Sequence, residues 1–475
     1  MTPEVYAELD GMAVAEAVRR REHSAVEVAE AALARIAALD GELGAFTVTL
    51  AEAALDTAKA TDAAVARGEE VGPLAGVPVS IKDVVWMRGA PATNGSLALR
   101  DFVPDVDCVP VARLREAGAT IVGKTNNPEF CYRGYTDNAL SGLTRNPWNP
   151  ERTPGGSSGG AGASVAAGMT PLAIGTDGGG SVRIPASYCG LVGVKPTFGL
   201  VPKEPGFPGW KTLSIIGPLT RTVRDAALML GVIAGVDPGD DMSYIGGDRD
   251  FVGAVTAHHL SSLRVAYSAD GGFAAVDPVV RRAFADAVER FAAATGVTPV
   301  EAHPALGDPM ALWELIAGAE GFASEGPLLA EHEAEMTPGT ADIIRAGDIP
   351  AVTYINGMHE RGRYTAAWSE FFETYDLLLS PTMQSTAFAV GLDGPEVIEG
   401  RRFAPDDGSW ASLVVAANLT GQPAVTVPCG LGDDGLPIGL QITARRFEDA
   451  LALRAAAAWE AVAPWPRLAP AYRSE

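Results

Sequence analysis

The chain has 475 residues, 47% hydrophobic and 20% charged, which is enough apolar material for a large core. Its net charge of −23 argues against a nucleic-acid partner, because neutralising phosphates needs clustered Lys and Arg. No basic stretch followed by an apolar run opens the sequence, and no apolar run is long enough to span a bilayer, so a cytoplasmic protein without membrane contact is expected.

Ser24-Ala25-Val26-Glu27 is a capping box, and Val26, Ala29, Leu33, Ile36 and Leu39 follow at helical spacing. The pattern predicts an amphipathic helix over 24–39, and a second helix over 51–67 ended by Gly68. A short buried strand is expected at 77–81, with Lys82 at its exit. A helix over 109–117 and a strand over 120–122 continue this α/β alternation. The span 126–154, dense in Asn, Pro, Gly and Arg, reads as ordered loop. Small residues fill 159–168, as suits a helix packed closely on a sheet, and 172–175 reads as a strand. Further on, strands are expected at 263–267, 376–380, 424–428 and 437–443, with helices at 277–294 and 446–462. The stretch 300–375 reads as largely helical and offers no evident chemistry. There is no internal repeat and no low-complexity linker.

The chemistry concentrates in Gly155-Gly156-Ser157-Ser158-Gly159-Gly160 and Thr176-Asp177-Gly178-Gly179-Gly180-Ser181-Val182-Arg183. Glycine lets backbone approach a ligand and lets N–H groups point into a cavity. The amides of Gly178, Gly179, Gly180 and Ser181 are therefore candidates for holding an oxyanion. No histidine lies between Lys82 and Lys195, so a nucleophilic Ser181 needs another base. Lys82 is the best remaining candidate, because desolvation at a strand exit favours the neutral amine. Read alone, a lysine at a strand end is as readily a snorkelling surface residue. Asp177 and Arg183 flank the serine and read as a buried polar support for the loop, against the plainer reading of a surface ion pair. Ser158 is expected to hydrogen-bond backbone.

The four cysteines, Cys108, Cys131, Cys189 and Cys429, form no C-x-x-C pair and read as reduced thiols. The six histidines show no H-E-x-x-H spacing, and His258-His259 falls in an expected surface segment. Neither a metal nor an organic cofactor is expected.

These motifs resemble those of the amidase signature family. Gly123-Lys124-Thr125-Asn126, Thr144-Arg145-Asn146-Pro147-Trp148, Gly193-Val194-Lys195-Pro196-Thr197 and Asn418-Leu419-Thr420-Gly421-Gln422-Pro423 add to the likeness, which runs from about residue 24 to about 459. The resemblance implies a Ser-cisSer-Lys triad, with Lys82 as base, Ser157 as the bridging serine in a cis peptide and Ser181 as nucleophile. It also implies one large α/β domain over 1–475, with a central mixed twisted sheet covered by helices on both faces. Its signature core would span about 75–200, its N-terminal helices about 5–70, and 240–475 would complete the sheet and pocket. One departure stands out: the position after Asp177, usually Thr or Ile in the family, is Gly178.

The function expected is hydrolysis of a small, largely apolar or aromatic amide through an acyl-enzyme on Ser181, with carbamates or esters as an extension. The partner is then a small-molecule amide, and the protein a monomer or homodimer. Substrate contacts are expected from Phe130, Cys131 and Tyr132 and from Phe207 and Trp210, with Trp313, Tyr354, Met383 and Trp410 as weaker candidates. For Arg133 an outward or structural placement is preferred, with a pocket-facing one, which would favour a carboxylate, left open. The nearest alternative is the glutamine-hydrolysing component of a tRNA-dependent amidotransferase. Its carboxylate-gripping Arg corresponds only loosely to the run Ile343-Ile344-Arg345-Ala346-Gly347. A nucleotide-binding protein is disfavoured because Gly155–Gly160 lacks the Lys-Ser/Thr of a P-loop. A non-catalytic protein is disfavoured by the joint presence of Lys82, Ser157 and Ser181.

Overall fold

A computed structural model describes all residues except 245–249, 257–259, 406 and 474–475, so His258-His259 lies outside the described residues. Among the described residues eleven strands form one mixed sheet, and two more form a separate ribbon. In chain order the strands are β1 (Phe46–Thr49), β2 (Pro78–Lys82), β3 (Thr120–Thr125), β4 (Leu172–Asp177), β5 (Val192–Lys195), β6 (Ile215–Thr220), β7 (Val265–Tyr267), β8 (Val300–Glu301), β9 (Leu377–Pro381), β10 (Val397–Ile398), β11 (Arg401–Arg402), β12 (Ala424–Leu431) and β13 (Pro437–Ala444). The spatial order is β1-β3-β2-β4-β6-β5-β12-β13-β9-β7-β8, while β10 and β11 pair as a separate ribbon.

Parallel pairing joins β2 to both β3 and β4, and every residue of β2 is buried. Alternation sorts the two faces of β2. Val79 and Ile81 enter the largest apolar cluster, with Ile174, Val427, Leu440 and Trp459. Ser80, two residues before Lys82 and so on its face, meets the hydroxyls of Ser164 and Thr170 at 3.3 Å each. Ser164 belongs to the helix Gly159–Ala166, whose residues are all buried. Small side chains let that helix lie close against the sheet. The opposite end of the sheet carries its own clusters, one with Trp410, Phe388 and Tyr188 and another with Trp368, Phe372 and Leu378.

The first predicted helix spans Ala25–Leu43, with both capping-box bonds formed and Gly44 left-handed at its end. The second spans Ala51–Arg67 and stops at Gly68, as expected. The helical stretch 300–375 resolves into Met310–His332, Thr340–Ala346 and Ala351–Thr374. The last predicted helix begins three residues late, at Asp449, because Phe447 is left-handed at φ 75°. Strands β1, β5 and β6 go beyond the sequence reading. In β6, Gly217 and Pro218 break the strand-like pattern, yet Pro218 pairs with Ile174 of β4. Among the described residues no helix is long and apolar enough to cross a membrane.

Trp459 ties the C-terminal helix Asp449–Val462 to this sheet. It is fully buried, and its indole N–H donates to the Pro428 carbonyl of β12 at 2.9 Å. Trp459→Ala is expected to lower the free energy of unfolding by about 3–5 kcal/mol in urea titrations, through the lost contacts and the cavity left behind. A loss under about 1 kcal/mol would show that the site collapses freely.

Candidate active site

Lys82 ends β2 and Asp177 ends β4, so both reach the carboxyl edge of the parallel strands, where open α/β sheets place their ligands. The Lys82 side chain is fully buried. Its Nζ donates to Ser157 Oγ at 2.6 Å and to Thr176 Oγ1 at 2.8 Å. Burial pushes this amine below the ordinary lysine range, while nearby Cys131, Asp177 and Asp83 oppose the shift. The peptide bond between Gly156 and Ser157 is cis, as the resemblance implied. Ser157 is buried, and Ser181 is only 7% exposed. The Ser158 N–H donates to the Ser181 carbonyl at 3.2 Å, which locks the two glycine-rich segments together. Ser158 Oγ meets the Thr176 carbonyl at 3.2 Å, so its backbone-binding role is observed.

Asp177 and Arg183 form a buried pair, not a surface one. Arg183 donates to both carboxylate oxygens of Asp177 at 2.9 Å. Its other N–H groups reach Val414 O, Gln441 Oε1 and Asn418 Oδ1 at 2.7–2.8 Å. Asn418 Nδ2 returns to Asp177 at 2.9 Å, on both its carbonyl and its carboxylate. Burial by itself raises the Asp177 carboxyl, but Arg183, Lys195 and Asn418 outweigh it and hold the group well below the usual carboxylate range. The same carboxylate accepts the Gly180 and Val182 amides at 2.8 and 3.2 Å. Gly180 is thereby committed to the loop's own scaffold. This narrows the expected oxyanion donors to Gly178, Gly179 and Ser181, since one N–H cannot serve both acceptors well.

Residues 27–453 match the family described as Amidase. The chain belongs to the amidase family. It is 39% identical over 461 residues to an acylamidase of Rhodococcus erythropolis, covering 94% of this chain and 93% of that one. It is also 37% identical over 474 residues to a glutamyl-tRNA(Gln) amidotransferase component of Acidothermus cellulolyticus, covering 94% and 92%. A solved bacterial aryl acylamidase of the amidase signature enzymes superposes with a TM-score of 0.89 at 31% identity, over 96% of each chain. This amidase is thus a hydrolase of mixed α/β architecture that acts on amide C–N bonds.

Two chambers of this amidase meet at Ser181, Cys131 and Trp210. The narrower, of about 90 Å³, also reaches Ser157, Phe130, Phe207, Trp86 and Glu325. The wider, of about 340 Å³, reaches Tyr132, Arg133, Trp313 and Trp410. Phe130, Cys131, Tyr132, Phe207 and Trp210 each line one or both chambers. Tyr354 and Met383 border neither chamber. The Tyr354 hydroxyl donates to Glu320 at 2.9 Å, and Met383 is buried beside Tyr188. Arg133, in the turn after the short helix Glu129–Cys131, is among the residues that line the wider chamber. Arg345 turns away and pairs with Glu333 and Asp342.

Edge-to-face contacts link Tyr132 to Trp210 at 5.5 Å and Trp210 to Trp313 at 5.3 Å, which builds one aromatic wall across both chambers. The Trp313 indole N–H holds the Gly178 carbonyl at 2.8 Å. The unusual Gly178 has a steric reason: a Cβ there would lie 2.5 Å from Trp210 Cε3. Thr176, Asn418 and Glu325 were missed as site residues by sequence. Thr176 had a signal, since it adjoins Asp177 at the end of a predicted strand.

Replacing Arg183 by Met leaves a buried carboxylate without its cation, at an expected cost of about 3–5 kcal/mol near neutral pH. A depressed carboxyl stabilises the fold fully above the ordinary aspartate range, about 3.9, and the gain drains away as pH falls below it. Denaturation curves of the wild type should show that acid-side loss, and Arg183→Met should show a smaller one. Equal slopes in both proteins would contradict the assigned pair.

Proposed function

We propose that this amidase hydrolyses a small apolar or aromatic amide by acyl transfer to Ser181, working as one domain over residues 1–475. The observation that carries the reading is the 2.6 Å contact from buried Lys82 to Ser157, at the foot of a cavity that also opens on Ser181. Neutral Lys82 takes a proton from Ser157, and Ser157 takes one from Ser181 as it attacks the carbonyl. The amides of Gly178, Gly179 and Ser181 receive the oxyanion, where each donor contributes about 3 kcal/mol to the transition state. Ser157 then protonates the departing amine, and water repeats the sequence to release the acid.

The aromatic wall supports the substrate class, because burying one ring of a ligand contributes roughly 1.5–3 kcal/mol. The acylamidase and aryl acylamidase relatives support it as well. Glutamine is the second reading. Arg133 beside the wider chamber favours it through its affinity for carboxylates, and so does the likeness to the amidotransferase component. The outward Arg345 and the apolar walls weigh against it.

Ser181→Ala is expected to lower kcat on an anilide by at least about 10³-fold while the protein stays folded, and a fluorophosphonate should label the wild type at Ser181 alone. Substantial turnover in the folded variant would remove Ser181 as nucleophile. Comparing kcat/KM for an anilide and for glutamine separates the two substrate readings. A glutamine advantage of about tenfold or more would replace the apolar-amide reading.

A further inference from the structure

Glu325 lies on the helix Met310–His332, far in sequence from both glycine-rich motifs, and borders the narrower chamber that Ser157 and Ser181 also border. It is 5% exposed. The Tyr132 hydroxyl donates to one of its oxygens at 2.8 Å. This approach depends on Gly321, one helical turn earlier, where a Cβ would sit 2.1 Å from the Tyr132 oxygen. Among the described residues Glu325 makes no ion pair, and no cation figures among the groups acting on its carboxyl. Lys203 borders the same chamber, but its ammonium is directed to the Trp210 and Lys211 carbonyls at 3.3 and 2.7 Å. Aromatic rings form much of the remaining wall, with Trp86 and Phe207 in edge contact at 5.5 Å.

A buried carboxyl with no cation beside it is costly to keep in a protein interior. A chamber that pairs such a group with aromatic faces suits a ligand that brings its own positive charge and several N–H donors. We propose that Glu325 is a specificity residue that receives a primary amine of the substrate, so that the preferred amides carry an amino group on the short chain entering the narrower chamber. This rests on the amide-hydrolase reading above and adds to its apolar or aromatic substrate one amino group at the end of the short chain. Tyr132, seated on Gly321, positions the carboxyl.

The test uses matched substrates differing only in a terminal group. One pair carries it on the acyl side, 4-aminobutanoic anilide against pentanoic anilide. The other carries it on the amine side, N-(4-aminobutyl)acetamide against N-pentylacetamide. In wild type the amino member of at least one pair is expected to lead in kcat/KM by about tenfold or more, the size of a charge-assisted hydrogen bond. Glu325→Gln keeps an acceptor for the Tyr132 hydroxyl but loses the charge, so the preference should fall below about threefold. A merely structural Glu325 predicts that Gln preserves the wild-type ratio, and that result overturns the proposal. Wild type without an amino preference in either pair overturns it too. If no amide is hydrolysed at all, the amide-hydrolase reading fails first and this inference with it. Should the variant not fold, inhibition of wild type decides: n-butylamine is expected to compete at about tenfold lower concentration than n-butanol, and equal potency counts against Glu325 as an amine site.

Discussion

An ammonium group taken out of water must find a counter-charge or give up its proton. Lys82 is fully buried at the end of β2, where its Nζ donates to the hydroxyls of Ser157 and Thr176 and also feels the Cys131 thiol. Hydroxyls stabilise the charge far less than a contacting carboxylate does. The parallel strands β2, β3 and β4 impose this burial, because they place the lysine beneath the glycine-rich segments and behind the helix Gly159–Ala166. The same packing that completes the sheet therefore favours the neutral amine that the proposed base requires.

The nucleophile loop depends on distant parts of the chain in a comparable way. Asp177 gathers the Gly180 and Val182 amides, and Arg183 and Asn418 hold Asp177. Arg183 then reaches Val414 and Gln441, so the loop is fixed to the helix Ser412–Thr420 and to β13. Trp313, from another helix, fixes the Gly178 carbonyl from the chamber side. A loop rich in glycine has little stiffness of its own, and these anchors supply it. The chain beyond residue 300 thus provides the outer supports of the site.

Lys82, Ser157, Ser181, Asp177 and Arg183 could be proposed from the sequence because compact glycine-rich motifs, and the family likeness they carry, single them out. The long amphipathic helices and the central strands were legible from their period. Thr176, Asn418 and Glu325 were not read as site residues because their roles exist only across the fold. Asn418 meets Asp177 from the helix Ser412–Thr420, and Tyr132 meets Glu325 of the helix Met310–His332. The placement of Arg133 stayed open for a similar reason: it lies in a turn, which period cannot describe. Strands β1, β5 and β6 are short or interrupted by glycine and proline, so their pairing comes from neighbours and not from their own pattern.

The central claim is that burial, with a hydroxyl relay, makes Lys82 the base. Its most direct test is the pH dependence of the rate at which a fluorophosphonate labels Ser181, compared between wild type and Lys82→Met across about pH 5–10. The account predicts that the wild-type rate rises along one limb whose midpoint lies below the ordinary lysine value of about 10.4, and that this limb disappears in the variant. A limb that persists without Lys82, or a midpoint at the unperturbed lysine value, would contradict it.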